Sequence, residues 1–570
     1  LGNLDGAVQL GESVYRSVVQ GLPAGEFDFW RSSRMMPPDP PGNEITEFPF
    51  FTFLFADPHA HLMALPFTIL ALGVSLAVML GALSRKEAGK GWGVSEVVRL
   101  AVLGLVVGSL RLLNTWDYPT YLLIAAGSVG IGEILAHGGL NLTVAIRSGS
   151  KAAIVFLAGY VAFLPYILAT ETFFSSIEST TNTTMLRQFL AITGVFVFII
   201  GSYYLWELRG ALRVVGRQVR EWTVSMVDTV SADVELQQGS RGSAQVGAGL
   251  GLAMIGSALM LAYLATAMFS GFSGGTIIFA SIIVMLIVFV GVRSLASQGP
   301  DTAQVAFISL LVGAAFLLVV GLDFVRVEGD IDRMNSVFKF YLQVWVLMAV
   351  GSAYLLWRML CIKPDVQTTE AGSRRGSLKW AWAGAVTVLI LSASVYPVLG
   401  TKDRLRDRFD GNVTPLTLDG TAYIEGTIYR DAEGDVDLAA DFEGIQWLRA
   451  NISGSPIVLE ANTPTYRWGG RVSIYTGLPS VVGWQWHQEQ QRWGYRPEVG
   501  LRINDVAKIY NTSDMSEALS LLQKYNVQYV YLGQLERHYY EEQGIAKFDD
   551  MSPDLENIFS TNNVNIYRVK

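Results

Sequence analysis

The chain has 570 residues, 51% of them apolar and 16% charged, with Lys+Arg 42 against Asp+Glu 50 and a mean hydropathy of +0.34. Soluble globular chains are about 25% charged, so lipid is the expected solvent, and intrinsic disorder and a basic nucleic-acid binder are excluded. One cysteine, Cys361, rules out an internal disulfide.

The chain opens on Leu1 with no signal-peptide pattern, and is read as starting part-way through a longer protein. Residues 1–62 form an expected extracytoplasmic segment. Within it, Phe27-Asp28-Phe29-Trp30-Arg31-Ser32-Ser33-Arg34 mixes aromatics with charge, a pattern for lining a sugar or lipid headgroup or for lying on a membrane surface. Asp57-Pro58-His59-Ala60-His61 ends the segment. In extended backbone, positions i, i+2 and i+4 share a face. Asp57, His59 and His61 then offer three N/O ligands to a divalent cation such as Mg, Mn or Zn. Phosphate binding, acid–base work and plain hydrogen bonding to backbone are the other readings.

Ten stretches suit a bilayer crossing of about 20 residues: 63–83, 97–113, 118–136, 152–169, 188–208, 246–268, 276–292, 303–321, 338–360 and 380–397. The loops then alternate in side. One set collects 17 Lys and Arg, the opposite short loops only Arg187, Arg326, Arg333 and Lys339. The positive-inside rule places residues 1–62 and the tail outside a plasma membrane.

The polar clusters then share the outer face: Asp57–His61, Asn114-Thr115-Trp116-Asp117-Tyr118, Glu171 and the run Asp323 to Lys339. Asn114, Trp116 and Tyr118 are ordinary turn and interface residues. Asp117 and Arg111 are not, and they make either a local ion pair or part of a site. Arg333, Asn335 and Lys339 enter the ninth span, where charge is costly unless paired or used. A guanidinium fork and an ammonium there suit a lipid-linked phosphate. Anchoring to anionic lipid or a surface Arg333–Asp332 pair is the alternative.

Residues 398–570 read as a soluble α/β domain with a partly parallel sheet. A helix is expected over 439–450, a strand over Ser455–Ala461, a helix over 514–525 capped by Ser513, and strands over Val527–Leu532 and Val564–Val569. Trp484, Trp486, His487 and Trp493 cluster in one loop, suited to carbohydrate stacking or to packing against the membrane domain.

Asn3-Leu4-Asp5-Gly6, the 27–34 and 55–67 segments, Asn114–Pro119, Arg333-Met334-Asn335-Ser336-Val337-Phe338-Lys339, Gly477-Leu478-Pro479, Gly483-Trp484 and Leu535-Glu536-Arg537 occur in order. Together they resemble, end to end, the YYY multi-span membrane proteins of Chloroflexi and archaea (Chlor_Arch_YYY), similar to a distant branch of the GT-C glycosyltransferases. The resemblance implies a polytopic α-helical fold and transfer from polyprenyl-phosphate sugars on the outer face. Its expected base, in a first outer loop, lies upstream of Leu1.

The resulting expectation is an integral membrane glycosyltransferase with a transmembrane domain over 63–397 and an outer α/β domain over 398–570. Asp57, His59 and His61 hold a cation or the donor phosphate, which Arg333 and Lys339 grip from the other side. Asp117 or Asp28 orients the acceptor. Arg31, Arg34, Asn335 and Trp116 line the site, and the tail caps it through Trp484, Trp486 and His487. The partners are a lipid-linked donor and the bilayer, with no nucleic acid. A non-catalytic lipid or polysaccharide transporter or an assembly scaffold is the second expectation.

Overall fold

A computed structural model describes residues 1–36, 44–87, 93–170, 176–229, 274–297, 299, 301–330, 333–361, 372–408, 417–492, 494–549 and 553–570. Glu171, Asp332, Trp493 and the expected span 246–268 lie outside them. The chain divides into two compact units, Leu1–Leu405 and Arg406–Lys570.

The first unit is helical: α1 Asp5–Val18, α2 Pro49–Phe55, α3 Ala60–Glu87, α4 Val94–Leu113, α5 Asp117–His137, α6 Leu142–Ala162 and α7 Leu164–Ala169. There follow β1 Ile177–Ser179, α8 Leu186–Thr229, α9 Gly275–Ser297, α10 Thr302–Leu322, β2 Val325–Val327, α11 Met334–Cys361 and α12 Gly372–Arg408. Among the described residues, eight of these helices are long and apolar enough to cross a membrane. The expected span 97–113 is also helical, as α4, but carries Glu96, Arg99 and Arg111.

The expected span 152–169 is displaced. Its helix starts at Leu142, where the Asn141 side chain accepts from the Val144 amide at 2.9 Å. It ends at Ala162, and a new helix opens with Pro165 in its first turn. Lys151, expected in a loop, therefore lies inside α6, buried and bonded to Glu96 and Glu133. Close approach of α4 to α6 rests on glycine: a Cβ at Gly108 would stand 2.8 Å from Gly159 Cα, and one at Gly159 2.6 Å from Gly104 O.

Contacts bring the starts of α3, α5, α8, α9 and α11 to one end of the bundle: Thr276 Oγ1 donates to Thr184 O at 2.7 Å, Arg333 to Thr184 Oγ1 at 3.4 Å, Gln343 Nε2 to Trp116 O at 3.0 Å, and His61 packs on Phe338. The short antiparallel pair β1–β2 lies at that end too, matching Ile177 with Val327. This is the end that collected the sequence-predicted polar clusters.

The second unit has the antiparallel ribbon β3 Ile428–Arg430 and β4 Asp435–Asp437, then α13 Leu438–Asn451 and β5 Ile457–Leu459. After short helices come α14 Arg496–Asn511, α15 Met515–Lys524, β6 Val527–Leu532, β7 Leu555–Ser560 and β8 Asn565–Val569. The sheet order is β5-β6-β8-β7, parallel between β5 and β6 and antiparallel elsewhere. Strand alternation sends Tyr531 and Ile566 to one core and Val530, Leu532 and Tyr567 to the other. Asp514, not Ser513, caps α15, accepting from the Ser516 amide at 2.9 Å.

Candidate functional site

The segment before α3 is not extended. Ala56 is left-handed at φ 59°, the His59 amide donates to Asp57 O at 2.7 Å, and the helix begins at Ala60. That geometry gives the two histidines different carboxylate partners, with their rings 5.6 Å apart. His59 Nδ1 lies 2.6 Å from Asp57 Oδ2. His61, inside the first turn, is buried with Nε2 3.3 Å from Glu47 Oε2 and its ring edge-on to Phe338 at 4.5 Å. Among the described residues, no three His, Cys, Asp or Glu side chains converge to hold a metal ion. Asp57, His59 and His61 as placed do not fit a three-ligand cation site, because the i, i+2, i+4 face needed extended backbone.

Arg333 is 0% exposed. Its Nη1 donates to Asp323 Oδ1 at 2.7 Å, to Leu322 O at 3.0 Å and to Thr184 Oγ1 at 3.4 Å, and Nη2 stands 3.6 Å from Glu44 Oε1. Asp323 Oδ1 also accepts from the Thr184 amide at 3.0 Å and hydroxyl at 2.7 Å. A buried guanidinium is tolerable only with such carboxylates. Arg333 therefore ties three loops together and does not face an incoming phosphate. Asn335 is likewise engaged: Asp330 Oδ1 accepts from its amide at 2.9 Å, and Asp330 Oδ2 accepts from the Ser336 amide at 2.7 Å, capping α11.

Lys339, farther along α11, meets the α4–α5 turn. Its Nζ lies 5.7 Å from the Trp116 ring centroid, and it attracts Asp117 electrostatically. Gln343 Nε2, one turn on, donates to Trp116 O at 3.0 Å. Asp117 is buried at the start of α5, between the side chains of Asn114 and Gln343. Tyr121, one turn later, is buried between Asp117 and Thr68 of α3. The expected Arg111–Asp117 pair gives way to Arg111 over the Tyr118 ring at 5.9 Å. An ammonium from α11 thus stands over an indole of the α4–α5 turn, within electrostatic range of the carboxylate beside it. Glu47, Gln343 and Tyr121 carried no sequence signal.

The 28–34 segment is internally held. Asp28 Oδ1 accepts from the Trp30 amide at 2.8 Å and the Arg31 amide at 3.2 Å, an Asx turn. Arg31 pairs with Glu12 at 2.6 Å and Asp5 at 3.2 Å, holding the Glu12 carboxyl below its usual range. Arg34 donates to Ser33 O at 2.9 Å and lies over Trp30 at 5.6 Å; burial pushes its pKa down. Arg404, which sequence reading missed, is buried over Phe29 and Phe55, each at 5.1 Å. Its only signal was a charged run just past the last span.

In the second unit, Trp484 Nε1 donates to Gly469 O at 2.7 Å, and His487 Nδ1 is 3.1 Å from the Tyr466 hydroxyl. Tyr466 stands edge-on to Trp484 at 5.2 Å, holds φ 63° and is exposed, as is Trp486. Beneath lies a buried network: Arg471 bonds Asp441 at 2.5 Å and Glu536 at 2.9 Å, with Glu460 at 3.5 Å. Burial pushes Glu460 up to about 7, against the pull of Arg471.

Residues 1–348 match the DUF2298 family, described as uncharacterized membrane protein, and the chain belongs to that family. Among solved structures it is similar to the oligosaccharyltransferase AglB from Archaeoglobus fulgidus in complex with an inhibitory peptide and a dolichol-phosphate. Identity is 11%, TM-score 0.33, with 83% of this chain and 52% of that one covered. The Archaeoglobus fulgidus oligosaccharyltransferase in complex with Zn and sulfate gives 12%, TM-score 0.34, 83% and 49%. The same enzyme tethered to an acceptor peptide with the NVT sequon gives 13%, TM-score 0.32, 90% and 56%. The chain thus spans about half the length of the solved structures it matches. No curated protein matches it.

Proposed function

We propose that this DUF2298 protein is an integral membrane glycosyltransferase of the plasma membrane, moving a sugar from a polyprenyl-phosphate donor to an acceptor on the extracytoplasmic side. The observation that carries this reading is that Lys339 lies over Trp116, within electrostatic reach of the buried Asp117, at one end of an apolar bundle. The end is the one that the lysine and arginine count assigns to the outside.

In this reading Lys339 binds the donor phosphate and Trp116 stacks on the sugar. The acceptor hydroxyl attacks the anomeric carbon as its proton passes to the Asp117 carboxylate. The bond from that carbon to the phosphate oxygen breaks, its electron pair stays on the phosphate, and Lys339 offsets the charge. Trp484, Trp486 and His487 are offered as carbohydrate contacts of the second unit.

The test is sugar release from a polyprenyl-phosphate sugar by the full chain in lipid. Asp117→Asn and Lys339→Met are expected to lose about 10²–10⁴-fold in turnover with unchanged thermal unfolding. Turnover equal to the parent in both variants overturns the reading.

A second reading, a lipid or polymer transporter or an assembly scaffold, is favoured by one observation. Glu96, Glu133 and Lys151 form a buried charged cluster toward the opposite end of the bundle, where an ion-coupled path needs charge.

A further inference from the structure

Helix α1 is amphipathic in the reverse of the soluble sense. The polar side chains of its first half, Asp5 and Gln9, turn toward the protein, while Glu12, Arg16 and Ser17 farther along are exposed. Gln9 Nε2 donates to Asp5 Oδ2 at 2.8 Å and to Asp28 O at 3.1 Å, and Ser32 Oγ donates to Asp5 Oδ2 at 2.8 Å. Asp5 and Gln9 are buried. The opposite face carries Leu10, Val14 and Val18 at four-residue spacing, flanked by Val8 and Tyr15. Val14 is 52%, Tyr15 56% and Val18 77% exposed. A helix washed by water presents these faces the other way round.

The depth of α1 says what covers that face. The Gly2 amide donates to Ala393 O at 2.8 Å and the Leu4 amide to Ala191 O at 2.9 Å. Both acceptors lie within candidate membrane spans, Lys379–Arg406 and Leu186–Arg209. At Gly6 a Cβ would stand 2.9 Å from Tyr396 Cβ, also inside the first of these spans. The start of α1 is therefore wedged between two candidate membrane spans.

We propose that α1 is a lipid-docking helix, its apolar face covered by the acyl chains and headgroup boundary of the adjoining leaflet. Its inner face then couples the bilayer to the Asp28–Arg34 segment through Gln9, Asp5 and Ser32. That segment is held at headgroup level, with Trp30 and Arg34 as its interface residues.

The test uses the full chain in nanodiscs, with Cys361→Ser as background and a fluorophore on Val14→Cys, Val18→Cys or, as an exposed control in the second unit, Tyr495→Cys. Ser17→Cys supplies another position on α1 if a valine variant fails to fold. Lipids spin-labelled near the top of the acyl chain are expected to quench the α1 positions several-fold more than position 495, and iodide to do the reverse. Equal iodide quenching at all positions overturns the proposal by placing α1 in water. Disulfide formation between copies at Val14→Cys overturns it by placing a second chain on the face.

Discussion

Arg333 and Asp323, ten residues apart in the chain, meet at 2.7 Å with both side chains fully removed from solvent. Removing one member of such a pair leaves the other as a buried, uncompensated charge. Arg333→Ala is expected to cost about 3–5 kcal/mol, seen as a fall in the midpoint of thermal unfolding in detergent. A midpoint equal to the parent's contradicts the clamp role and returns Arg333 to the candidate ligand-binding residues.

The α4–α6 crossing predicts a steric effect. Gly108 abuts the Gly159 backbone, with Phe163 Cδ2 3.0 Å from where its Cβ would be. Gly108→Val has no room without parting the helices, and overpacking of this kind costs roughly 1–3 kcal/mol. Gly149, with nothing near its Cβ position, is the control: Gly149→Val is expected to leave the unfolding midpoint far less changed.

Glu460 gives the second unit a pH dependence with a defined sign. Burial raises its pKa from 4.5 to about 7, with Arg471 opposing and Glu536 adding to the rise. The folded state thus holds the proton more tightly than the unfolded chain. The resulting stability is fully present below about 4.5 and is lost as pH rises through about 7, changing on the order of 1 kcal/mol per pH unit between them. Denaturant unfolding of the full chain, followed by resistance of the second unit to proteolysis, is expected to show this slope. Glu460→Gln is expected to flatten it, and a slope retained in that variant contradicts the assignment.

The helical class was legible because apolar runs such as 303–321 report burial in lipid without reference to any partner. Helix starts were less so. The cations Arg147 and Lys151 mark a loop by composition, yet Lys151 enters α6 because Glu96 and Glu133, 55 and 18 residues away, meet its charge. The same limit applies at Arg333, whose partners come from residues 44, 184 and 323. Charge near a span was visible; whether it faces a ligand or a carboxylate is decided by packing. The Asp57–His61 spacing reads as extended backbone, whereas α3 begins between the two histidines. Lys339 does reach the Trp116 ring, within electrostatic range of Asp117, across more than 200 residues of chain. Gln343 and Tyr121, which complete their surroundings, look in sequence like ordinary members of apolar helices.

In the proposed function a lipid phosphate docks at the Asp117–Lys339 end of the bundle. The most direct measurement is a structure of the full protein in lipid with a polyprenyl phosphate bound. The phosphate is expected within hydrogen-bond distance of Lys339 Nζ, with Trp116 and Asp117 around the head and the chain running between helices. A phosphate bound instead beside Lys151 at the opposite end, with Lys339 still facing Asp117, would contradict it.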